Sequence, residues 1–152
     1  MDDAHLPLLR QALDLAREAA ARGDHPFGAL LARQGRVVLR ARNTVHSERD
    51  CTRRAELNLV SRACRELAPW LDGHTLYTST EPCAMCAGAI YWAGVSRVVY
   101  ACPAEALDRV AGPGLALPCR EVFARGDRPV EVVGPLLQQE AVALHEAYWP
   151  RP

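Results

Sequence analysis

A run at residues 75–80 (Thr-Leu-Tyr-Thr-Ser-Thr), β-branched and aromatic enough for a strand, leads directly into Glu81-Pro82-Cys83-Ala84-Met85-Cys86. Proline is accepted in the first turn of a helix and nowhere deeper, so the strand must stop there and a helix must begin. Gly94 closes that helix. The segment is therefore a strand, a tight turn and a helix, with two cysteines at i and i+3 where the helix starts. Unpaired N–H groups in a first turn favour thiolates, and two of them at this spacing suit a tetrahedral metal ion or redox exchange.

The rest of the chain alternates around this unit. Leu8, Leu9, Ala12, Leu13, Ala16, Ala19 and Ala20 recur at helical spacing over 7–21, with Gly23 just beyond. Segments 27–32 and 36–41 flank Gln34-Gly35 and read as paired strands. Thr52 is placed to cap a helix over 53–67, which Pro69 and Gly73 end. A strand at 97–101, a short helix at 103–110, a Gly- and Pro-rich loop at 111–118, a strand at 130–134 and a helix at 136–149 complete the order. A hairpin followed by alternating helices and strands predicts a mixed five-stranded sheet covered on both faces, a three-layer α/β/α arrangement. No repeat or linker interrupts it, so 1–152 is expected to form a single domain.

Charge and composition remove several functions. Eighteen basic residues balance eighteen acidic ones, which leaves no chain-wide positive field for a phosphate backbone. All the basic residues are arginine, so Schiff-base chemistry and a P-loop lysine are excluded. The opening Met1-Asp2-Asp3-Ala4-His5 is acidic and no apolar run spans a bilayer, which predicts a cytoplasmic chain without a membrane partner. In that compartment six cysteines point to metal or redox chemistry rather than to a disulfide framework. Cys51, Cys64, Cys102 and Cys119 read as plain thiols.

Read together, His25-Pro26-Phe27-Gly28-Ala29, Asn43, the run 50–56 ending in Arg54-Ala55-Glu56, and the run 79–93 around Cys83 and Cys86 resemble the zinc-dependent deaminases of the cytidine and deoxycytidylate deaminase superfamily. The likeness is strongest to bacterial guanine and nucleoside deaminases and fades after about Ala101. It implies the cytidine-deaminase-like α/β/α fold, Zn2+ held by Cys83 and Cys86, and Glu56 as the catalytic proton shuttle. It further implies substrate contacts from Asn43, from the backbone near Ala55 and Cys83, and from Phe27 and Trp92, with Asp108 as a partner for a proton or amino group. His25 falls at the pocket mouth, and a homodimer with an interface near Tyr91 and Trp92 fits the resemblance.

One position departs from the pattern. The family places a histidine two residues before the glutamate, and this chain has Arg54. A guanidinium has five donors and no lone pair, so it cannot be the third zinc ligand. Three accounts follow: an inactivating replacement in an otherwise complete site, a site completed by Cys51 or His46, or a metal-free pocket in which Arg54 grips an anion. The expected activity is hydrolytic deamination of a purine base or nucleoside, guanine first, impaired by Arg54. Its counterpart is a metal-free ligand-binding protein on the same fold. A thiol redox protein using Cys83 and Cys86 leaves Ala55-Glu56 without a role. The tail at 145–150 is not basic, unlike that of the transfer-RNA adenosine editors, so a small molecule is expected rather than nucleic acid.

Overall fold

Five strands appear among residues 2–150, which the computed structural model describes: β1 (Gly28–Arg33), β2 (Arg36–Arg42), β3 (His74–Thr80), β4 (Arg97–Cys102) and β5 (Glu131–Val133). They form a mixed sheet in the order β2-β1-β3-β4-β5. The β1–β2 and β1–β3 pairs are antiparallel, whereas β3–β4 and β4–β5 are parallel. Met1, part of the acidic opening, lies outside the described residues.

Seven α-helices accompany the sheet among those residues: α1 (Leu6–Ala21), α2 (Val45–Glu48), α3 (Ala55–Glu66), α4 (Ala84–Trp92), α5 (Ala104–Ala111), α6 (Cys119–Ala124) and α7 (Gln138–Tyr148). One core lies under α1, α5 and α7 and takes Leu30, Ala32, Tyr77 and Val99 from the sheet. The other lies under α3, α4 and α6 and takes Ala29, Leu31, Leu76 and Val98. Successive residues of a strand point to opposite faces, so β1 with both faces covered is a continuous apolar run, whereas in edge strand β2 exposed Arg36, Val38 and Arg40 alternate with half-buried Val37 and Leu39. The three-layer α/β/α expectation is met. No helix among the described residues is long and apolar enough to cross a membrane.

One local expectation fails, and two short helices are additional. Thr52 does not cap α3; its N–H and hydroxyl both bind the Asp50 Oδ1, at 2.9 and 2.6 Å, in an Asx turn. Helix α3 instead begins after Arg54, whose extended backbone takes the N-cap place without a side-chain cap. Helices α2 and α6 were not expected, because four and six residues are too few to register a 3.6-residue period.

Gly28 sets how closely α1 lies on β1. A Cβ added there would stand 2.5 Å from the Ala12 carbonyl oxygen and 2.6 Å from the Ala16 nitrogen, both helix backbone that cannot swing aside. Gly28→Ala is therefore expected to lower stability by about 3 kcal/mol, near the top of the usual overpacking range. A urea midpoint unchanged from wild type would show that α1 tolerates displacement.

Candidate active site

The register Ala29↔Thr78 sets the start of β1, preceded by Phe27, beside the carboxyl end of β3, from which the chain passes into α4. Crevices at the carboxyl ends of parallel strands are where open α/β sheets bind ligands, and β3 and β4 are such a pair. Cys83 is the N-cap residue of α4 and Cys86 lies in its first turn, as the proline and the spacing require. From the other side α3 presents Glu56 in its own first turn, only 6% exposed.

Charge within this group is shared unequally. A hydrogen bond from the Cys86 thiol, helped by backbone N–H groups at the start of α4, holds the Cys83 thiol well below its ordinary value and so favours its thiolate form. Cys86, keeping the proton, is pushed above its ordinary value. Burial, and after it the negative charge of Cys83, pushes the Glu56 carboxyl up to about 7, with the Thr78 hydroxyl as a hydrogen-bond partner. A carboxyl balanced near neutrality is suited to taking up and releasing a proton.

Arg54 supplies the counter-charge. Its guanidinium favours the anionic forms of Glu56, Cys83 and Cys86 and disfavours protonation of His25, while its Nε donates to the Cys51 carbonyl oxygen at 3.2 Å. One fixed cation thus offsets part of the cost of burying a thiolate and a carboxyl, although burial still dominates at Glu56. The zinc of the resemblance does not fit this set. Two sulfurs and a guanidinium give two donors, and no group of three or more His, Cys, Asp or Glu able to hold a metal occurs among the described residues. Neither suggested rescuer joins: Cys51 is exposed, and His46 Nε2 is engaged with His25 Nε2 at 2.9 Å. All six cysteines are free, and burial pushes Cys102 and Cys119 up to about 12, which makes them inert core thiols.

Asn43 is fully buried, its Oδ1 accepting the Val45 N–H at 2.9 Å while its Nδ2 has no partner. Leaving such a donor unmet costs about 1–3 kcal/mol, a cost that an acceptor on a bound ligand removes. Phe27 packs against His145 with ring centroids 5.3 Å apart, and His25 lies 5.0 Å from Trp149, so the end of α7 forms an aromatic rim with the β1 approach. Ala55 is buried at the start of α3. Trp92 is not brought to this group: it ends α4, at the opposite end from Cys83, and is 76% exposed. Asp108 lies on α5 and makes no hydrogen bond or ion pair to the group among the described residues.

Sequence reasoning missed two residues here. Glu81 accepts the Ala104 N–H at 3.0 Å and the Cys119 N–H at 3.1 Å, fastening the turn before Cys83 to the starts of α5 and α6. His145 is buried on α7, one helical turn after buried Ala141, which is the only pattern that could have marked it. Trp149 Nε1 donates to its Nδ1 at 3.1 Å, so neutral His145 carries its proton on Nε2 and offers it to the Thr80 Oγ1 at 2.8 Å.

Burial holds His145 down at about 4. A folded value below the ordinary 6.5 means that stability is full above about 6.5 and is lost as pH falls toward 4, by about 3 kcal/mol in all. His145→Gln removes the titration, so its loss of unfolding free energy between pH 7.5 and 4.5 is expected to be about 3 kcal/mol smaller than wild type. Glu56, which titrates with the opposite sign, contributes equally to both chains and cancels. Equal losses in the two chains would show that His145 already binds its proton in the fold.

Comparison with known proteins finds relatives over nearly the whole chain. The family model described as the cytidine and deoxycytidylate deaminase zinc-binding region matches residues 3–102. The probable cytosine deaminase of Schizosaccharomyces pombe is 34% identical over 158 residues, covering 98% of this chain and 94% of that protein. A tRNA-specific adenosine deaminase of Bacillus subtilis is 32% identical over 142 residues, covering 93% and 86%. Among solved structures, the guanine deaminase from Nitrosomonas europaea superposes with a TM-score of 0.81 at 29% identity, covering 92% of this chain and 81% of that one. The similarity extends well past Ala101, where the sequence likeness fades.

Proposed function

The chain belongs to the cytidine and deoxycytidylate deaminase family, and from that premise we propose that it is a hydrolytic deaminase of a free purine base or purine nucleoside, guanine first, held back by Arg54. The observation that carries the reading is Glu56, a buried carboxyl balanced near 7 between two helix starts. In the reaction water adds at the carbon bearing the exocyclic amino group, and that group leaves as ammonia. Glu56 takes a proton from the water, gives it to the adjacent ring nitrogen, and then helps pass one to the departing nitrogen. Asn43 Nδ2 donates to an acceptor on the ring, and Phe27 forms an apolar wall.

A small substrate is favoured over nucleic acid by the zero net charge and by a tail whose Trp149 is engaged with His145 and His25. A homodimer belongs to the same proposal, with exposed Trp92 available for it. The family's zinc-dependent activation of water does not fit this chain, whose described residues offer two donors at the site. The test is ammonia release from guanine, guanosine, cytosine and adenosine, with and without added zinc, by wild type and by Arg54→His. Guanine as the fastest substrate of Arg54→His supports the reading, and cytosine as the fastest replaces the substrate. Ligand binding without ammonia release from either chain replaces the enzyme with a metal-free binding protein.

A further inference from the structure

Zero net charge conceals a strong local segregation. A groove of about 640 Å³ runs from α1 across edge strand β2 to α3, and six guanidiniums line it: Arg22, Arg40, Arg42, Arg53, Arg62 and Arg65. The carboxylates on the same lining are those of Glu18 and Glu48. None of Glu56, Cys83 and Cys86 lines it, so it is separate from the candidate active site.

Half of these cations are neutralised locally. Arg42 pairs with Glu18 at 3.2 Å, Arg62 with Glu66 at 3.2 Å, and Arg53 stands 3.6 Å from Asp50. Arg22, Arg40 and Arg65 have no carboxylate partner among the described residues. Arg40 donates to the Gln11 Oε1 at 3.1 Å and Arg65 to the Ser61 Oγ at 2.6 Å, both neutral acceptors. Gathering guanidiniums in one concavity raises their mutual repulsion, which a bound anion relieves. Arginine is also the side chain whose planar fork matches phosphate oxygens two at a time.

We infer that this groove is a binding site for a compact oligophosphate, a chain of linked phosphates such as inorganic tripolyphosphate or the triphosphate of a nucleotide. The unpaired cations come from three different elements, the end of α1, β2 and α3, which suits several linked phosphates better than a single one. No aromatic side chain lines the groove, so it lacks the stacking platform that single-stranded nucleic acid sites use for bases. Recognition therefore rests on the phosphates and is indifferent to any base attached to them.

The experiment is calorimetric titration of the full chain with tripolyphosphate at two ionic strengths. Binding is expected, weakening by about tenfold or more between 50 and 200 mM salt as exposed charge pairs are screened. Arg40→Glu/Arg65→Glu is expected to lose at least about tenfold in affinity, while Arg125→Glu, outside the groove, binds as wild type does. Should the double variant fail to fold, Arg22→Ala and Arg65→Ala singly are each expected to weaken binding about threefold or more. ATP should bind about as tightly as tripolyphosphate. Absence of binding, affinity unchanged in the groove variants, or tighter binding of a charge-matched oligothymidylate would each overturn the inference, the last assigning the groove to a nucleic-acid backbone.

Discussion

Arg54→His is expected to bring zinc from near none to about one per chain and to raise ammonia release from guanine by about 10³-fold. The cysteines already stand together at the start of α4, and Cys83 is held toward its thiolate form, so the two proposed ligands are in place. What is missing at position 54 is a lone pair. The Arg54 backbone is extended at φ −69° and ψ 153°, a conformation that any residue adopts, so histidine enters without strain. Removing the guanidinium also withdraws the cation that compensates Glu56 and Cys83, and a dication held by the new imidazole replaces it. Arg54→Gln separates these effects: it removes the charge without adding an imidazole and should remain poor in zinc. Elemental analysis with a coupled ammonia assay reads both quantities, and an Arg54→His chain that stays metal-free and inert would end the account of Arg54 as the obstacle.

Glu56→Gln, placed in the Arg54→His chain, is expected to lower turnover by about 10³-fold while zinc content is unchanged, because in the proposed reaction the carboxyl carries protons and is not a ligand. Stability supplies an independent readout. Burial raises the Glu56 carboxyl to about 7 in the folded chain, so its contribution is present below the ordinary value of 4.5 and is lost as pH rises through 7. Without added metal, the wild-type chain at pH 8 therefore carries a strained carboxylate that costs about 3 kcal/mol. Glu56→Gln in the wild-type background should accordingly be more stable at pH 8 and gain little at pH 5, measured by urea unfolding. Loss of zinc together with activity would make Glu56 a ligand, and equal stability at both pH values would place it in a wetter site than its burial indicates.

How much of this was legible in advance differs from element to element. The strand, proline and paired cysteines of 75–86 carry their geometry in local rules, and β3, the Cys83 N-cap and α4 follow them. The early helix and hairpin are equally local, and α1, β1 and β2 lie within a residue or so of the expected spans. Thr52 misled because Asp50, two residues earlier, takes both of its donors, a competition that helix-capping preference does not weigh. Trp92 misled in another way. Nine residues beyond Cys83 at the rise of an α-helix is about 13 Å, enough to carry it to the far end of α4. His145 and Glu81 were beyond reach, since their partners lie 65 residues away at Thr80 and 23 and 38 residues away at Ala104 and Cys119. The arginine groove was hidden by arithmetic, because a sum over the chain cannot show where its charges gather.

The Glu81 carboxylate has a consequence for how this scaffold can vary. By holding the first residues of both α5 and α6, it makes everything between them an excursion that leaves from and returns to one anchored point. The stretch 112–118 within that excursion is exposed and free of regular structure. Loop closure depends only logarithmically on length, so doubling such a segment costs about 0.6 kcal/mol. Descendants of this chain can therefore lengthen, shorten or redecorate it while the turn that carries Cys83 stays in place, which makes it a tether for new surface on an unchanged candidate site.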